Sequence, residues 1–278
     1  MRTTLILLSF LLLAYIMVGC GATSTPSPIE EGNDNIETLR EQGEEYLEYE
    51  NSNENESLED QRNDNTNSLT LAGDNPRTYL LPPPALVGSI SVEEALMSRR
   101  SHRSFQDKPL TPEQLSQILW AAYGVSSDRG FRTAPSAGAL YPLEIFVVVG
   151  NVTGIEAGVY RYLPNEHKIK RTSDEDIRQD LAELAWGQSF IQDAPILVIY
   201  TAIFSRTTLR YGEEPGRTYV HMEVGHSAQN IYLQAETLGL GTCAVGAFRD
   251  NNINHLLGIP VDSQEVLLYL MPVGYISF

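Results

Sequence analysis

The sequence predicts an α+β fold for residues 88–278. Two signals support it: helix-capping motifs followed by apolar residues at helical spacing, and apolar runs of strand length bounded by glycine, proline or polar residues. The helices and strands follow one another without the regular alternation that a parallel sheet requires. Residues 1–87 lack these signals and are interpreted separately.

Residues 1–20 are typical of a secretory signal, because one arginine precedes an apolar run that is too short to span a membrane comfortably. The run ends in Met17–Cys20, which resembles a bacterial lipobox, whose cysteine becomes the lipidated first residue. Ordinary cleavage nearby is the alternative. Glycines flank the cysteine and a polar segment follows, so we predict lipidation at Cys20. The protein would then be a lipoprotein outside the cytoplasm, held on the bacterial membrane by this anchor only.

The formal charge of −17 is unevenly distributed. Fifteen acidic residues and three arginines give residues 21–80 a charge of −12. Such a polar, acidic composition does not bury enough apolar surface to offset the entropy of ordering. We therefore predict a disordered tether over residues 21–87, closed by a stiff proline run at 82–84. The acidic balance argues against a nucleic-acid partner, whose phosphates require a basic face.

The folded domain is predicted to begin near Gly88 with two helices. Ser91–Glu94 is a capping box that opens a helix through about Ser98. Thr111–Gln114 is a second capping box, with proline at the first helical position, and this helix is expected to stop at Gly124.

The remaining elements are predicted from apolar periodicity and turn residues. They are a strand at Glu144–Val149, a hairpin across Gly158–Leu163 and His167–Arg171, a helix at Asp174–Trp186, a strand at Pro195–Ile203, a long helix at Arg217–Leu238, a strand at Cys243–Phe248, a short helix at Asn251–Leu257 and a strand at Glu265–Tyr275.

Several familiar sites are not predicted. The glycines of 239–246 have the wrong spacing for a dinucleotide fingerprint and lead from helix to strand, which is the reverse of that motif. His221 and His226 are five residues apart, about 140° around a helix, so no metal site is expected. His226 is interpreted as a packed histidine or one near a flavin, and His221 as a surface residue. Cys243 lies in an apolar strand and is expected to be a small buried residue.

Separated polar features together suggest flavin mononucleotide. Ser98–Phe105 holds three arginines and three serines, and arginine presents a fork of donors that fits phosphate; a solvated turn is the alternative. The small residues of Ala134–Pro142 allow close approach to a flat ring. Gly246 at a strand end can present backbone N–H groups, and Gln229 and Asn230 can bind the polar edges of a ring. FMN offers a phosphate, a flat ring and such edges.

These segments occur in an order that resembles the nitroreductase-like flavoproteins, and among them the SagB-type branch of thiazole and oxazole dehydrogenases. The matching segments are SRRSHRSF (98–105), APSAGALYPLE (134–144), RYG (210–212), EVGHSAQNIYLQAETLGLGTCAVGAF (223–248) and MPVGY (271–275). The resemblance implies a central, mainly antiparallel sheet flanked by helices, and a homodimer with FMN at its interface. It implies an FMN-dependent oxidoreductase that passes hydride or electrons between a donor such as NAD(P)H and a small acceptor.

The resemblance also implies site residues. It places the phosphate at Arg99 and Ser101 and the N1/O2 edge of the ring at Arg103, where a positive charge would stabilise the reduced flavin. Further contacts are implied at Arg100, Pro135, Ser136, Ala137, Val245 and Gly246, the last two through backbone facing flavin N5.

One departure concerns the catalytic pair. The azoline-oxidising members carry Lys-Tyr, whereas this chain carries Arg210-Tyr211. Arginine stays protonated and is a poor general base, which puts peptide azoline oxidation in doubt. Tyr211 can donate a proton or serve as a packing aromatic, and both interpretations stay open. A flavin- or ligand-binding lipoprotein without turnover is the alternative function.

Overall fold

The computed structural model describes residues 78–249 and 253–277. In it, seven strands form one sheet in the order β1-β4-β3-β2-β5-β7-β6, with each neighbouring pair antiparallel. The strands are β1 Thr78–Leu80, β2 Leu143–Val149, β3 Gly158–Leu163, β4 Lys168–Ser173, β5 Ile196–Ile203, β6 Gly241–Thr242 and β7 Glu265–Gly274. The predicted hairpin and the predicted central strands are confirmed.

The described helices flank this sheet. They are α1 Val92–Ser98, α2 Pro112–Tyr123, α3 Arg178–Leu184, α4 Phe190–Asp193, α5 Ser205–Tyr211 and α6 Glu213–Thr237. A short 3₁₀ turn occupies Ala137–Ala139. The mixed, antiparallel arrangement confirms the predicted α+β class.

Strand β2 shows why helices cover both faces of the sheet. Ile145 and Val147 point into one apolar cluster, which includes residues of α2 and α6. Phe146 and Val148 point into a second cluster, which includes residues of α3 and α4. Since successive side chains of a strand alternate between faces, a strand that is apolar throughout must be buried on both sides. The fold is therefore a three-layer arrangement with β2 and β5 at its centre.

The two predicted capping boxes are both present. Ser91 Oγ accepts the Glu94 N–H at 3.1 Å, and the Glu94 carboxylate accepts the Ser91 N–H at 2.9 Å. Thr111 and Gln114 repeat the exchange at the start of α2. α1 ends at Ser98, which is also the first residue of the arginine segment, defined as residues 98–105.

Helix α6 begins at Glu213, earlier than the predicted Arg217. Gly212 adopts φ +85, which ends α5 and turns the chain into α6. Pro215 suggests a break, but a helix tolerates proline in its first turn. Gly216 is required by packing, because a Cβ there would lie 2.6 Å from the Cα of Thr208.

The predicted strand Cys243–Phe248 is wrong. Only Gly241 and Thr242 pair regularly with β7. The Ala244 N–H donates to the Tyr232 hydroxyl at 2.8 Å and not to a strand, and pairing resumes as an isolated bridge between Val245 and Leu270. A side-chain acceptor thus interrupts the ladder.

Two predicted helices also need correction. The helix predicted at Asp174–Trp186 is confined to Arg178–Leu184. Within the predicted Asn251–Leu257, the described residues 253–257 form hydrogen-bonded turns and no helix. Gly258 follows directly with φ +65, where a Cβ would collide with the Thr172 carbonyl, so the chain turns there at a position that requires glycine.

The boundary at residue 88 is also corrected, because part of the predicted tether belongs to the sheet. Thr78–Leu80 pair with β4, and the Leu81 N–H donates to the His167 carbonyl at 3.1 Å. Leu81 is buried. The predicted signal peptide, Cys20 and residues 21–77 of the predicted tether lie outside the described residues. Among the residues that are described, no helix is both long enough and apolar enough to cross a membrane.

Candidate flavin site

The arginine segment is attached to the sheet beside β6. Ser101 forms a parallel bridge with Thr242, and the His102 N–H donates to the Thr242 carbonyl at 2.9 Å. The Ser101 hydroxyl lies 3.0 Å from the Tyr232 hydroxyl. Tyr232, on α6, therefore joins the arginine segment to the residues that follow β6.

The three arginines of the segment have different surroundings. Arg99 places its Cζ 5.2 Å from the centre of the Tyr232 ring, beside Ser101. Arg103 lies 6.0 Å from the Phe190 ring. Among the described residues, neither arginine forms an ion pair with a carboxylate, so both keep donors for an anionic ligand. Arg100 differs, since its Nη1 donates to the carbonyls of residues 97, 98 and 99. Part of Arg100 therefore caps α1.

The ring-facing loop, defined as Pro135–Tyr141, has an unusual backbone. Gly138, Ala139 and Tyr141 have φ of +62, +53 and +47. Left-handed backbone costs free energy at a residue that is not glycine, and such strain is found where the surroundings fix the conformation. The Ser136 hydroxyl is one such constraint, because it accepts the Tyr141 N–H at 3.0 Å.

Arg210 and Tyr211 lie against this loop. A Cβ added to Gly138 would be 2.6 Å from the Tyr211 hydroxyl and 3.5 Å from Arg210 Cζ. Tyr211 also packs edge-on against Tyr219, with ring centres 5.1 Å apart. The structure thus brings the predicted catalytic pair to the predicted ring loop, and Tyr211 both packs as an aromatic and presents its hydroxyl to the loop.

A buried carboxyl that sequence reasoning missed lies beneath the loop. Glu223, on α6, is 2% exposed and accepts a short hydrogen bond from the Tyr123 hydroxyl. Burial raises the pKa of Glu223, while hydrogen bonds from Ser136 and Tyr123 and the charges of His226 and Arg132 oppose the increase. The available signal was an acidic residue at a helix position otherwise facing the core.

The other predicted contacts are placed as follows. Gln229 is half-buried on α6, and Asn230 beside it donates to the Thr133 carbonyl at 3.1 Å, just before the ring-facing loop. Val245 exchanges both backbone hydrogen bonds with Leu270, at 2.9 and 3.0 Å, so its N–H is already used. Gly246 is exposed.

Cys243, His226 and His221, for which the sequence predicted no metal site, have the following surroundings. Cys243 is buried, and burial raises the pKa of its thiol although the Arg103 charge opposes this. His226 is exposed, and so is His221, which contacts Phe204 edge-on at 5.6 Å. Within residues 78–249 and 253–277, no cluster of His, Cys, Asp or Glu is suited to hold a metal ion.

The two halves of the predicted site are carried by different parts of α6. Glu223 is linked to the ring-facing loop through Tyr123, whose ring packs edge-on against Tyr141 at 6.1 Å, whereas Tyr232 meets the arginine segment. These two helix positions are nine residues apart, about 14 Å along the axis. A groove of about 430 Å³ lies near both halves and is lined by residues that include Trp120, Arg132 and Asn230. Neither Arg99 nor Ser136 is among its lining residues.

The chain is similar to known proteins across this region. A model of the nitroreductase family matches residues 96–275. A Methanocaldococcus jannaschii protein named as a nitroreductase is 53% identical over 188 residues, covering 68% of this chain and 92% of that protein. The FMN reductase (NAD(P)H) of Bacillus subtilis is 27% identical over 188 residues, covering 61% of this chain and 60% of that protein.

A solved structure supports the same assignment. The crystal structure of a Ralstonia eutropha protein described as a nitroreductase has a TM-score of 0.64 and 26% identity, covering 74% of this chain and 93% of that one. Together with the match to more than half of the chain, the antiparallel sheet and the order of the site segments lead to one conclusion: the chain belongs to the nitroreductase family.

Proposed function

We propose that the protein is an FMN-dependent oxidoreductase that passes hydride or electrons between a donor such as NAD(P)H and a small acceptor. The observation that carries this proposal is a pair of half-sites along α6. One is the arginine segment, where Arg99 and Arg103 have no carboxylate partner among the described residues; the other is the ring-facing loop, with its left-handed backbone and Tyr211 against it. The similarity to a named FMN reductase supports the choice of flavin and donor.

The residues present fit FMN. Arg99 and Ser101 offer a guanidinium and a hydroxyl side by side, and no described carboxylate neutralises Arg99, so a phosphate is the expected ligand there. Gly138 leaves no room for a Cβ, as expected where a backbone supports close packing. The exposed Gly246 can approach a ring edge. These properties match the phosphate and the ring of FMN separately.

The mechanism assigns one task to each group. FMN, when bound, supplies the redox-active ring. Arg99 and Ser101 would hold its phosphate, and Arg103 would supply positive charge for the ring edge that becomes negative on reduction. Tyr211 can donate its hydroxyl proton to a reduced acceptor, and Arg210, which stays protonated, favours the resulting phenolate.

The half-sites favour a homodimer. Within one protomer, the arginine segment and the ring-facing loop lie at different positions along α6. In a twofold dimer whose two α6 helices run in opposite directions, the arginine segment of one protomer would lie beside the ring-facing loop of the other. The similarity to the nitroreductases supports this arrangement. In the dimer, Arg99 of one protomer and Tyr211 of the other would serve the same cofactor.

Within the family we propose the SagB-type branch by its ordered motifs, but not its azoline-oxidising activity. That activity needs a base, and Arg210 replaces the lysine expected at this position. A non-catalytic flavin- or ligand-binding lipoprotein is the second candidate. It is favoured by the predicted anchor at Cys20, since nicotinamide cofactors are scarce outside the cell.

A binding and turnover experiment separates these functions. The chain from residue 21 is saturated with FMN, freed of excess ligand and examined for a flavin spectrum and a thermal shift; neither would appear if the flavin proposal is wrong. The loaded protein is then assayed with NADH or NADPH and a quinone or nitroaromatic acceptor. Steady turnover supports the oxidoreductase, whereas reduction of the flavin without turnover supports the carrier.

Mixing variants tests whether each cofactor site is built from residues of both protomers. Arg99→Ala and Tyr211→Phe each impair every site of a homodimer. If these residues come from different protomers, a mixed dimer contains one intact site, and random mixing restores about a quarter of the wild-type sites. If they serve a site within one chain, mixing restores none.

A further inference from the structure

Four charged side chains of alternating sign form a row across the sheet. Glu265 on β7 forms an ion pair with Arg161 on β3, and Arg161 Nε lies 3.4 Å from the carboxylate of Glu144 on β2. Glu144 also forms an ion pair with Arg206 on α5, in which its Oε1 lies 2.5 Å from Nη2. Two carboxylates and two guanidinium groups sum to zero charge. The row therefore satisfies its own charges and needs no ligand to do so.

The inner end of this row is buried and hydrogen-bonded. Only 4% of the Glu265 side chain is exposed, and the Thr201 hydroxyl on β5 donates to its Oε2 at 2.8 Å. Glu144 lies next in the row on a central strand of the sheet. Ion pairs between ordered, partly buried side chains are screened less by salt than pairs between mobile surface residues. The Glu144 carboxylate is therefore a fixed partner for Arg206.

Arg206 has a second partner in the ring-facing loop. Its Nη1 donates to the Tyr141 carbonyl at 2.8 Å, while its Nη2 donates to Glu144. Tyr141 is the last residue of the loop and one of its three left-handed positions, with φ +47. The planar guanidinium fixes the directions of its donors relative to one another. These two acceptors therefore determine where α5 lies relative to the loop.

The other end of α5 carries Tyr211, whose hydroxyl lies against Gly138 of the same loop. The helix has seven residues, Ser205–Tyr211, and a helix of this length is not stable by itself. Its position must come from its contacts. Arg206 supplies one of them, and the packing of Thr208 on Gly216 of α6 supplies another.

We propose that Arg206 is a positioning residue of the candidate site: by joining the Glu144 carboxylate to the ring-facing loop, it holds α5, and with it the Tyr211 hydroxyl, against that loop. This inference rests on the proposed function, in which Tyr211 donates a proton to the reduced electron acceptor. Because Arg206 acts through Tyr211, its loss should affect the transfer to the electron acceptor more than the binding of FMN.

The decisive variant is Arg206→Gln, which removes the charge and the fork of donors but keeps a polar side chain. In the FMN-loaded protein, reoxidation of the reduced flavin by a quinone should slow about tenfold, since rates are sensitive to small displacements of a reacting group. Stopped-flow absorbance measures this step. The dissociation constant of FMN, measured by quenching of flavin fluorescence, should stay close to the wild-type value.

Arg178→Gln is the matched control. Arg178 on α3 also joins a carboxylate to a backbone carbonyl, since it forms an ion pair with Asp176 and donates to the Ala194 carbonyl at 2.5 Å. Its loss should lower the melting temperature, as the loss of Arg206 does, but leave the rate of flavin reoxidation unchanged. An equal loss of rate in both variants would show a general effect of lost stability and would overturn the role of Arg206.

A double-mutant cycle with Tyr211→Phe tests the route. Arg206→Gln should have little further effect on reoxidation once the Tyr211 hydroxyl is absent; a full, additive effect would overturn the proposal. If Arg206→Gln does not fold, Arg206→Lys takes its place in the cycle with the same expectation, because lysine keeps the charge but lacks the planar fork.

A second readout uses the protein without flavin. The Ala139 N–H donates to the Ser136 carbonyl at 3.1 Å, and the Tyr141 N–H donates to the Ser136 hydroxyl at 3.0 Å. Both amides should exchange hydrogen faster in Arg206→Gln, whereas Arg178→Gln should retain their protection. Unchanged protection together with an unchanged rate would show that packing on α6 is sufficient to hold α5, and would overturn the proposal.

Failure of the proposed function gives a different result. If the wild type does not bind FMN, or if Tyr211→Phe reoxidises as fast as the wild type, the flavin proposal or the proton-donor role is wrong. The exchange experiment would still decide whether Arg206 holds the loop, because it needs neither the flavin nor the reaction.

Discussion

Ser101 and Thr242 form a parallel β-bridge, although their segments are separated by most of the folded chain. The bridge joins the arginine segment to the sheet next to β6, so the backbone of the segment is fixed at Ser101. If the segment binds an anion, as we propose, part of its backbone is in place before the ligand arrives, which lowers the entropic cost of binding.

The first prediction concerns the tyrosine that secures this attachment. In Tyr232→Phe the Ala244 N–H loses its acceptor and Ser101 loses its hydroxyl partner. We expect the free energy of unfolding to fall by about 1 kcal/mol, as for a lost hydrogen bond, when measured by urea denaturation. Tyr269→Phe provides a comparison for loss of a tyrosine hydroxyl elsewhere on the sheet. Equal stability of Tyr232→Phe and the wild type would show that the hydroxyl does not secure the segment.

The second prediction separates two neighbouring arginines. Arg99→Ala should weaken FMN binding by about 1.5–3 kcal/mol, because it removes a charge-assisted bond to phosphate. Arg100→Ala should mainly lower the melting temperature, because its guanidinium caps the carbonyls at the end of α1. Titration calorimetry and thermal denaturation of both variants measure the two effects. Unchanged affinity in Arg99→Ala would remove this residue from the site.

The third prediction is a pH dependence of stability set by His167. Burial lowers the pKa of His167 below its usual 6.5. The unfolded chain therefore binds the proton more readily than the folded chain, so stability is full above pH 6.5 and declines as the pH falls from 6.5 towards the lower folded-state pKa. Urea denaturation at several pH values should show this decline.

The variant His167→Asn should reduce the pH dependence in that window. Asparagine tolerates the left-handed backbone at this position, where φ is +42. His255→Asn, a change at an exposed histidine, is the control and should retain the slope. An identical slope in His167→Asn and the wild type would contradict the assignment.

The fourth prediction tests the contact between the ring-facing loop and Tyr211. In Gly138→Ala a Cβ would lie 2.6 Å from the Tyr211 hydroxyl at a residue with φ +62, so either the loop or the tyrosine must move. We expect weaker FMN binding and slower turnover, measured by stopped-flow absorbance. Tyr211→Phe removes only the hydroxyl and should slow turnover with FMN affinity retained. Full turnover in Tyr211→Phe would leave the tyrosine a packing role.

The fifth prediction concerns location. Cys20→Ser removes the acceptor of the predicted lipid, so the protein should move from the membrane fraction to the soluble fraction of cells that express the whole chain. Ser24→Ala, nearby and without a thiol, should stay with the membranes. Retention of Cys20→Ser on membranes would refute lipidation at this residue.

Much of the fold could be predicted because its signals are local. The capping boxes at Ser91 and Thr111 and the apolar runs of β2 and β5 are each visible within a few residues. α5 was not predicted, since Ser205–Tyr211 is short and polar and is stabilised by packing on α6. The interruption after β6 depends on a hydroxyl of Tyr232 on α6, a different element twelve residues before Ala244, so the periodicity of 243–248 contains no sign of it.

In the candidate site, too, some residues could be predicted from the sequence and others could not. Arg99, Ser101 and Ser136 could be selected because their residue types suit phosphate and close approach. Glu223 could not, because a carboxylate on a helix is usually solvated, and its burial depends on Tyr123 and on the ring-facing loop. The hydrogen bond from the Val245 N–H to the Leu270 carbonyl could not be predicted either, because it depends on how the two segments pair in the folded chain.

The position of β1 has a mechanical consequence. β1 and β6 are opposite edges of the sheet, about 29 Å apart across six strand spacings. Tension on the chain ahead of Thr78 is carried first by the short ladder between β1 and β4, and then by Gln117, which holds the N–H and carbonyl of Ala85 at 2.8 and 3.1 Å. We expect a force on the chain ahead of Thr78 to act first at the sheet edge opposite the arginine segment. If the protein is anchored and binds FMN, as we propose, such a force would reach the cofactor site last.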